Sequence, residues 1–192
     1  MIETKSLFIP KLFELLNQNY NYAVLRGFGE LPNNFSSHDI DVLVEKEQFK
    51  NLKKELFELL KQEGYDVLMV NENERFNTII IAKVVSSKLD FLYLDFFFNY
   101  SLYGVNLIDA KDVLQDKIFN GKIYHVSKLH EYLEKYLNCK LLNNSYPEKY
   151  KSIQQDVFKS NSFNLNNVFK KVFCDSKVDL NTIGNYPGKT LL

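Results

Sequence analysis

The sequence has no tryptophan and only two cysteines, and its 24 basic residues are matched by 24 acidic ones. With charge balanced, no overall field draws the chain to nucleic acid or to an anionic membrane. Cys139 and Cys174 lack close spacing and read as reduced thiols. No apolar run approaches the ~20 residues that a membrane helix needs. The densest aromatic stretch, Leu89–Phe98, is broken by Asp90 and Asp95. The N-terminus lacks the charged, then apolar, then small pattern of an export signal, so a cytoplasmic setting is expected. No internal repeat is visible. The missing tryptophan, beside abundant Lys, Asn, Phe, Tyr and Ile, reflects base composition more than function. What remains is a chain of 192 residues, enough for one good-sized domain or a domain with a small appendage.

The informative stretch runs from Tyr22 to Val44. A short apolar strand, Tyr22–Arg26, enters a turn at Gly27; a polar loop containing Pro32 follows, and a second strand, Asp39–Val44, carries two aspartates. Residues two apart on a strand share a face, so Asp39 and Asp41 look out together while Ile40, Val42 and Val44 point the other way and can be buried. Paired carboxylates repel and resist desolvation unless a positive charge sits between them. A divalent cation is the usual remedy, and hard oxygens suit Mg²⁺ or Mn²⁺. A bare pair of this kind also fits an exposed strand start with two solvated aspartates.

Ahead of this stretch, Ile9, Leu12, Phe13 and Leu16 have helical spacing, with the regular helix expected to start near Pro10. Behind it, Lys46–Gln62 places Phe49, Leu52, Leu56 and Leu60 on one stripe of an amphipathic helix that Gly64 ends. Tyr65–Val70 reads as a strand, and Arg75–Val85 with Lys88–Phe98 as a hairpin around Ser86-Ser87. A helical piece is expected over Ala110–Asp116, a tight turn at Asn120-Gly121, a strand over Lys122–Val126, and a helix capped by Ser127 and reaching about Leu142. From Asn143 the texture is rich in Asn, Ser and Lys, with thin helical patterns at Pro147–Lys159 and Leu165–Cys174. The expected architecture is α/β (α+β): a small mixed sheet over residues 1–126 with helices mainly on one face, and a helical C-terminal region over 127–192.

Phosphoryl chemistry with two metal ions needs a third carboxylate from a neighbouring strand. Asp90 and Asp95 are the candidates, and being five apart they face opposite sides of a regular strand. Asp90 sits at the strand's beginning, where exposure is easy. Asp95 lies among Leu94, Phe96 and Phe97, where an unpaired charge is expensive, so Asp95 is the expected site residue.

Strand, glycine turn, loop and aspartate pair together resemble the polymerase-β-like nucleotidyltransferase superfamily, over roughly residues 20–125. The likeness is greatest to uncharacterised bacterial nucleotidyltransferases associated with surface-polysaccharide clusters. It is carried by Leu25-Arg26-Gly27, Pro32 and Asp39-Ile40-Asp41, and by the spacing of Asp95 to Gly104, Val105 and Leu107. The resemblance implies that Asp39, Asp41 and Asp95 hold Mg²⁺ or Mn²⁺ and that a nucleoside triphosphate donates its nucleotidyl group to an acceptor hydroxyl.

Phe28 departs from the pattern, which has a small residue after the glycine. Ser36, Ser37 or Gly29 could supply the missing phosphate contact. Arg26 could pair with a phosphate or form a salt bridge with a nearby carboxylate. His38 could support the metal pair or be an exposed loop residue, as His125 and His130 are expected to be. Gly184–Thr190 looks like a phosphate loop one residue short, with no helix after it to complete an anion site. Two other readings remain: a catalytically inert binding or regulatory module of the same fold, antitoxin-like, and a glycosyltransferase, whose folds normally place several β-α units before such an aspartate pair.

Overall fold

A computed structural model describes residues 5–33, 35–74, 76–85, 87–102, 105–136 and 148. The expected helices at Pro147–Lys159 and Leu165–Cys174, both cysteines, Gly104 and the Gly184–Thr190 segment lie outside the described residues. The chain divides into two units, one of Met1–Tyr100 with Asp109–Val126, the other containing Ser101–Ile108 and the chain from Ser127.

The first unit is built on a mixed seven-stranded sheet. Its strands are β1 (Tyr22–Val24), β2 (Asp39–Val44), β3 (Asp66–Glu72), β4 (Phe76–Val85), β5 (Lys88–Phe97), β8 (Ile118–Phe119) and β9 (Tyr124–His125), in the spatial order β3-β4-β5-β2-β1-β9-β8. β3, β4 and β5 form an antiparallel meander, β2 pairs with β5 in parallel and with β1 antiparallel, and β9 runs parallel to β1. Helices α1 (Lys5–Asn19), α2 (Lys46–Gln62) and α3 (Ala110–Gln115) complete this unit. In the second unit, α4 (Lys128–Tyr136) follows Ser127, whose hydroxyl accepts a hydrogen bond from the His130 N–H at 3.4 Å. β6 (Asn99–Leu102) and β7 (Val105–Asp109) pair as a separate two-stranded ribbon.

The core forms where the apolar stripes of α1 and α2 meet one face of the sheet. Phe8, Ile9, Leu12, Phe13 and Leu16 of α1 join Phe49, Leu52, Leu56 and Leu60 of α2 and Ile40, Val42, Val44, Ile79, Ile81, Leu92, Leu94 and Phe96 of the strands in one buried cluster. Each such side chain contributes about 1.5–3 kcal/mol. α2 has the bounds that its 3.6-residue periodicity gives, and Gly64 ends it with φ +70°.

α1 differs from expectation. It begins a turn before Pro10, which lies inside the helix and forfeits one backbone hydrogen bond there. Phe8 and Ile9, in that first turn, are fully buried, and their burial outweighs the lost bond. β3 runs from Asp66 to Glu72 and is exposed along its whole length as an edge strand, with a bulge between Val67 and Met69 that blunts the edge.

Candidate functional site

β2 and β5 bring the candidate residues together because they lie side by side in parallel. The register pairs Asp39 with Tyr93, Asp41 with Asp95 and Leu43 with Phe97. Ile40, Val42, Leu94 and Phe96 face the helical core, so the intervening Asp39, Asp41 and Asp95 share the opposite face. Asp90 has the other parity, that of the buried Leu92, and stands opposite Lys83 on β4.

The positive charge between the carboxylates is supplied by the chain itself. Arg26, two residues past the end of β1, donates from Nε to Asp41 Oδ2 and from Nη2 to Asp39 Oδ2, the latter at 3.2 Å. Of the two uses foreseen for Arg26, phosphate contact or salt bridge, this structure shows the salt bridge. The Asp41 side chain is 4% exposed and Arg26 is 40% exposed. Asp41 Oδ1 is buried and has no hydrogen-bond partner. Burial pushes the Asp41 carboxyl above its ordinary value; the Arg26 hydrogen bond and charge oppose the rise, while Asp39 and Asp95 add to it.

Asp95 is raised too, mainly by burial and also by Asp39, against a hydrogen bond from Thr78 and the Arg26 charge. Thr78 Oγ1 donates to Asp95 Oδ1 at 2.5 Å across the β4–β5 pair. Sequence reasoning misses Thr78. It is one of several threonines and serines, and only the antiparallel register, Thr78 opposite Asp95, singles it out.

The loop residues are engaged among themselves. Ser37 donates its hydroxyl to Asp39 Oδ1, and Ser36 donates both its hydroxyl, at 2.8 Å, and its N–H, at 3.3 Å, to Glu30 Oε2. Gly27 has φ +65° and open space where a Cβ would be, so its backbone is accessible. Phe28 stacks on His125 at 4.1 Å and 11°. His125 is therefore a half-buried strand residue and not the exposed loop histidine expected. His130, also expected in an exposed loop, is buried in the first turn of α4. His38 stacks on Phe91 at 5.1 Å.

The donor set fits a hard dication: carboxylate oxygens on adjacent strands, one of them buried without a partner. Among the described residues, however, no three of His, Cys, Asp or Glu are gathered as a group able to hold a metal ion. The guanidinium of Arg26 stands between Asp39 and Asp41 as their counter-charge.

The first unit is thus a mixed α+β fold whose sheet presents three aspartates on one face. No family model and no curated protein matches the chain. Among solved structures it is similar to the Helicobacter pylori protein JHP933, at 11% identity and a TM-score of 0.49, over 86% of this chain and 71% of that one. It is also similar to a candidate nucleotidyltransferase from Thermotoga maritima, at 18% identity and 0.44, over 83% and 96% of the two chains. A candidate nucleotidyltransferase from H. pylori gives 11% and 0.44, over 95% and 89%. These are distant likenesses, and none carries a function across. Among the described residues no helix is long and apolar enough to cross a membrane.

Proposed function

We propose that the chain is a metal-dependent nucleotidyltransferase that moves an NMP group from a nucleoside triphosphate to an acceptor hydroxyl. One observation carries this reading: Asp41 Oδ1 is buried, has no partner, and belongs to a carboxylate set in register with Asp95. A desolvated carboxylate oxygen left without a donor costs about 1–3 kcal/mol or more, a cost that a bound cation removes. Asp39, Asp41 and Asp95 would hold Mg²⁺ or Mn²⁺, which when bound supplies charge neutralisation at the phosphates.

The chain's own residues have definite tasks. Asp95 accepts the proton of the acceptor hydroxyl. The hydroxyl oxygen bonds to the α-phosphorus as the bond from phosphorus to the bridging oxygen breaks, and pyrophosphate leaves. Arg26, which pairs with Asp39 and Asp41, would be able to turn to phosphate oxygens were those carboxylates to hold a cation. The open backbone at Gly27 admits them closely. The family resemblance points to surface-glycan metabolism as the setting, and the two widely spaced cysteines to the cytoplasm as the location.

A second reading is favoured by Arg26 itself. Because the guanidinium already pairs with Asp39 and Asp41, the same geometry serves a fold that keeps the carboxylates and has given up the chemistry. Thermal denaturation with Mg²⁺ and each of the four nucleoside triphosphates separates the two. The enzyme reading expects a rise in Tm that Asp41→Asn abolishes, and pyrophosphate release that Asp95→Asn abolishes. No shift with any triphosphate would leave the inert module as the better reading.

A further inference from the structure

The face of the sheet that carries the aspartates continues beyond them, and its chemistry changes there. The order β3-β4-β5-β2-β1 puts Arg26 and Gly27, which follow β1, on one side of the aspartates and β4 and β3 on the other. With phosphates held on the β1 side, an acceptor reaches Asp95 over β5, β4 and β3. Two rows of side chains cross that ground. One runs from Asp95 through Thr78 to Asn71 and is polar; the other runs from Tyr93 through Ile80 to Met69 and is apolar. Tyr93 is 36% exposed and Met69 45%, with Ile80 half-buried between them. From β5 to β3 is about 10 Å, two strand spacings, which leaves room for a ring beside Asp95.

Braced aromatic rings and the placement of charge narrow what fits. Phe91 meets the Tyr93 ring edge-on at 5.8 Å and 81°, and on the other side of Asp95 the Phe97 ring stacks on Phe76 at 5.3 Å and 23°. Exposed aromatic surface of this kind favours another ring, offset-stacked or edge-to-face. Among the described residues of β3, β4 and β5, no lysine or arginine lies on this face: Lys83 and Lys88 have the parity of the buried Ile81 and Leu92. The acids on it are Asp95 and, at the far end of β3, Asp66 opposite Ala82. A phosphate on the acceptor would meet like charge and no cation from these strands, whereas an uncharged ring buries apolar surface.

We infer that the acceptor of this site is an uncharged alcohol that carries an aromatic ring, the ring resting on Tyr93, Ile80 and Met69 while the hydroxyl reaches Asp95. A sugar phosphate is the acceptor that this face disfavours. The fate of the hydroxyl rests on the nucleotidyl-transfer reading: its proton passes to Asp95, its oxygen bonds to the α-phosphorus, and pyrophosphate leaves with the electrons of the broken bond. The seat of the ring rests on the sheet face alone.

The test measures binding of three probes to the full chain by saturation-transfer NMR and calorimetry, without metal or nucleotide. Phenyl β-D-glucoside has hydroxyls and a ring, methyl β-D-glucoside lacks the ring, and phenyl β-D-glucoside 6-phosphate adds charge. The phenyl glucoside should bind about tenfold more tightly than the methyl glucoside and more tightly than its own 6-phosphate. Tyr93→Ala and Met69→Ser, both at exposed positions, should each erode the preference for the ring. Ile80→Lys, which sets a cation in the apolar row, should reverse the order of the phenyl glucoside and its 6-phosphate. No binding of the phenyl glucoside up to about 20 mM, equal binding of the phenyl and methyl glucosides, or an undiminished ring preference in both Tyr93→Ala and Met69→Ser would overturn the inference. Tighter binding of the 6-phosphate by the native chain would overturn the uncharged class. The rise in Tm with Mg²⁺ and a triphosphate is a separate measurement. Its absence beside ring-dependent binding counts against nucleotidyl transfer and leaves the ring's seat standing, whereas its presence without such binding sinks this inference alone.

Discussion

Arg26→Met offers the sharpest test of how the carboxylate cluster is held. The substitution keeps a long unbranched side chain and removes the guanidinium. Asp41 then has no hydrogen-bond partner on either oxygen, since Oδ2 is bonded by Arg26 and Oδ1 has none. Removing one partner of a buried ion pair costs about 3–5 kcal/mol, and the 40% exposure of Arg26 lowers this toward about 2 kcal/mol through solvent screening. For a chain of this size that is a fall in Tm of roughly 4–8 °C.

The penalty has a ceiling that depends on pH, because Asp41 can escape by taking a proton. From an ordinary carboxylate pKa of about 3.9, protonation costs about 5 kcal/mol at about pH 7.5 but only about 1.5 at about pH 5. The folded-state pKa is raised, so the stability associated with protonation is fully present below the unfolded value and is lost as pH rises through the folded one. The variant should therefore approach the wild type as the solution is acidified. Urea denaturation at both pH values measures it. An unchanged stability near neutrality, or a loss as large at about pH 5 as at about pH 7.5, would refute the view that Arg26 is the counter-ion of a desolvated Asp41.

Four further outcomes are expected. Asp41→Asn should leave the metal-free protein as stable as the wild type or more so, because Asp39 and Asp95 no longer repel a third charge; a clear loss of Tm would contradict this. Thr78→Val should destabilise by about 1.5 kcal/mol near neutrality, the value of a hydrogen bond to a charged group, with the loss fading in acid as Asp95 protonates; denaturant titration at two pH values checks it. Gly27→Ala should cost about 1–2 kcal/mol through its positive φ alone, since open space surrounds the added methyl group, and denaturant unfolding would show the loss. The wild type should gain stability as pH falls from neutrality into the range of the raised Asp41 and Asp95, and lose part of that gain when Mg²⁺ is bound.

What could be read in the sequence was what repeats locally. The stripe Phe49, Leu52, Leu56, Leu60 gives α2 its bounds, the alternation around Asp39 and Asp41 gives β2, and Ser86-Ser87 gives the hairpin, with Ser87 at φ +64°. Features set by distant neighbours were not legible. The exposure of β3 follows from its edge position, which no pattern within Asp66–Glu72 reveals. The two-residue strand β8 is too short for periodicity to show, while β9 takes up Tyr124–His125 of the strand expected over Lys122–Val126. Phe28 looks out of place after a glycine turn until its ring is seen against His125, nearly a hundred positions on. A salt bridge from Arg26 could be foreseen, but that it takes both Asp39 and Asp41, and that Thr78 bonds to Asp95, are products of strand order.

The parallel pairing of β2 with β5 also bears on how the chain reaches its native state. Adjacent parallel strands cannot be joined by a hairpin, and here α2, β3 and β4 all intervene. β4 and β5 are neighbours in sequence and can zip early, whereas docking β2 onto β5 closes a long loop and at that moment presses Asp41 toward Asp95. Electrostatic repulsion is thus concentrated in the least local step of assembly. Acid should quicken refolding and leave unfolding comparatively unaffected, in stopped-flow traces followed by tyrosine emission, the chain having no tryptophan. If the pH effect appears in the unfolding limb alone, the carboxylates meet only after the barrier has been crossed.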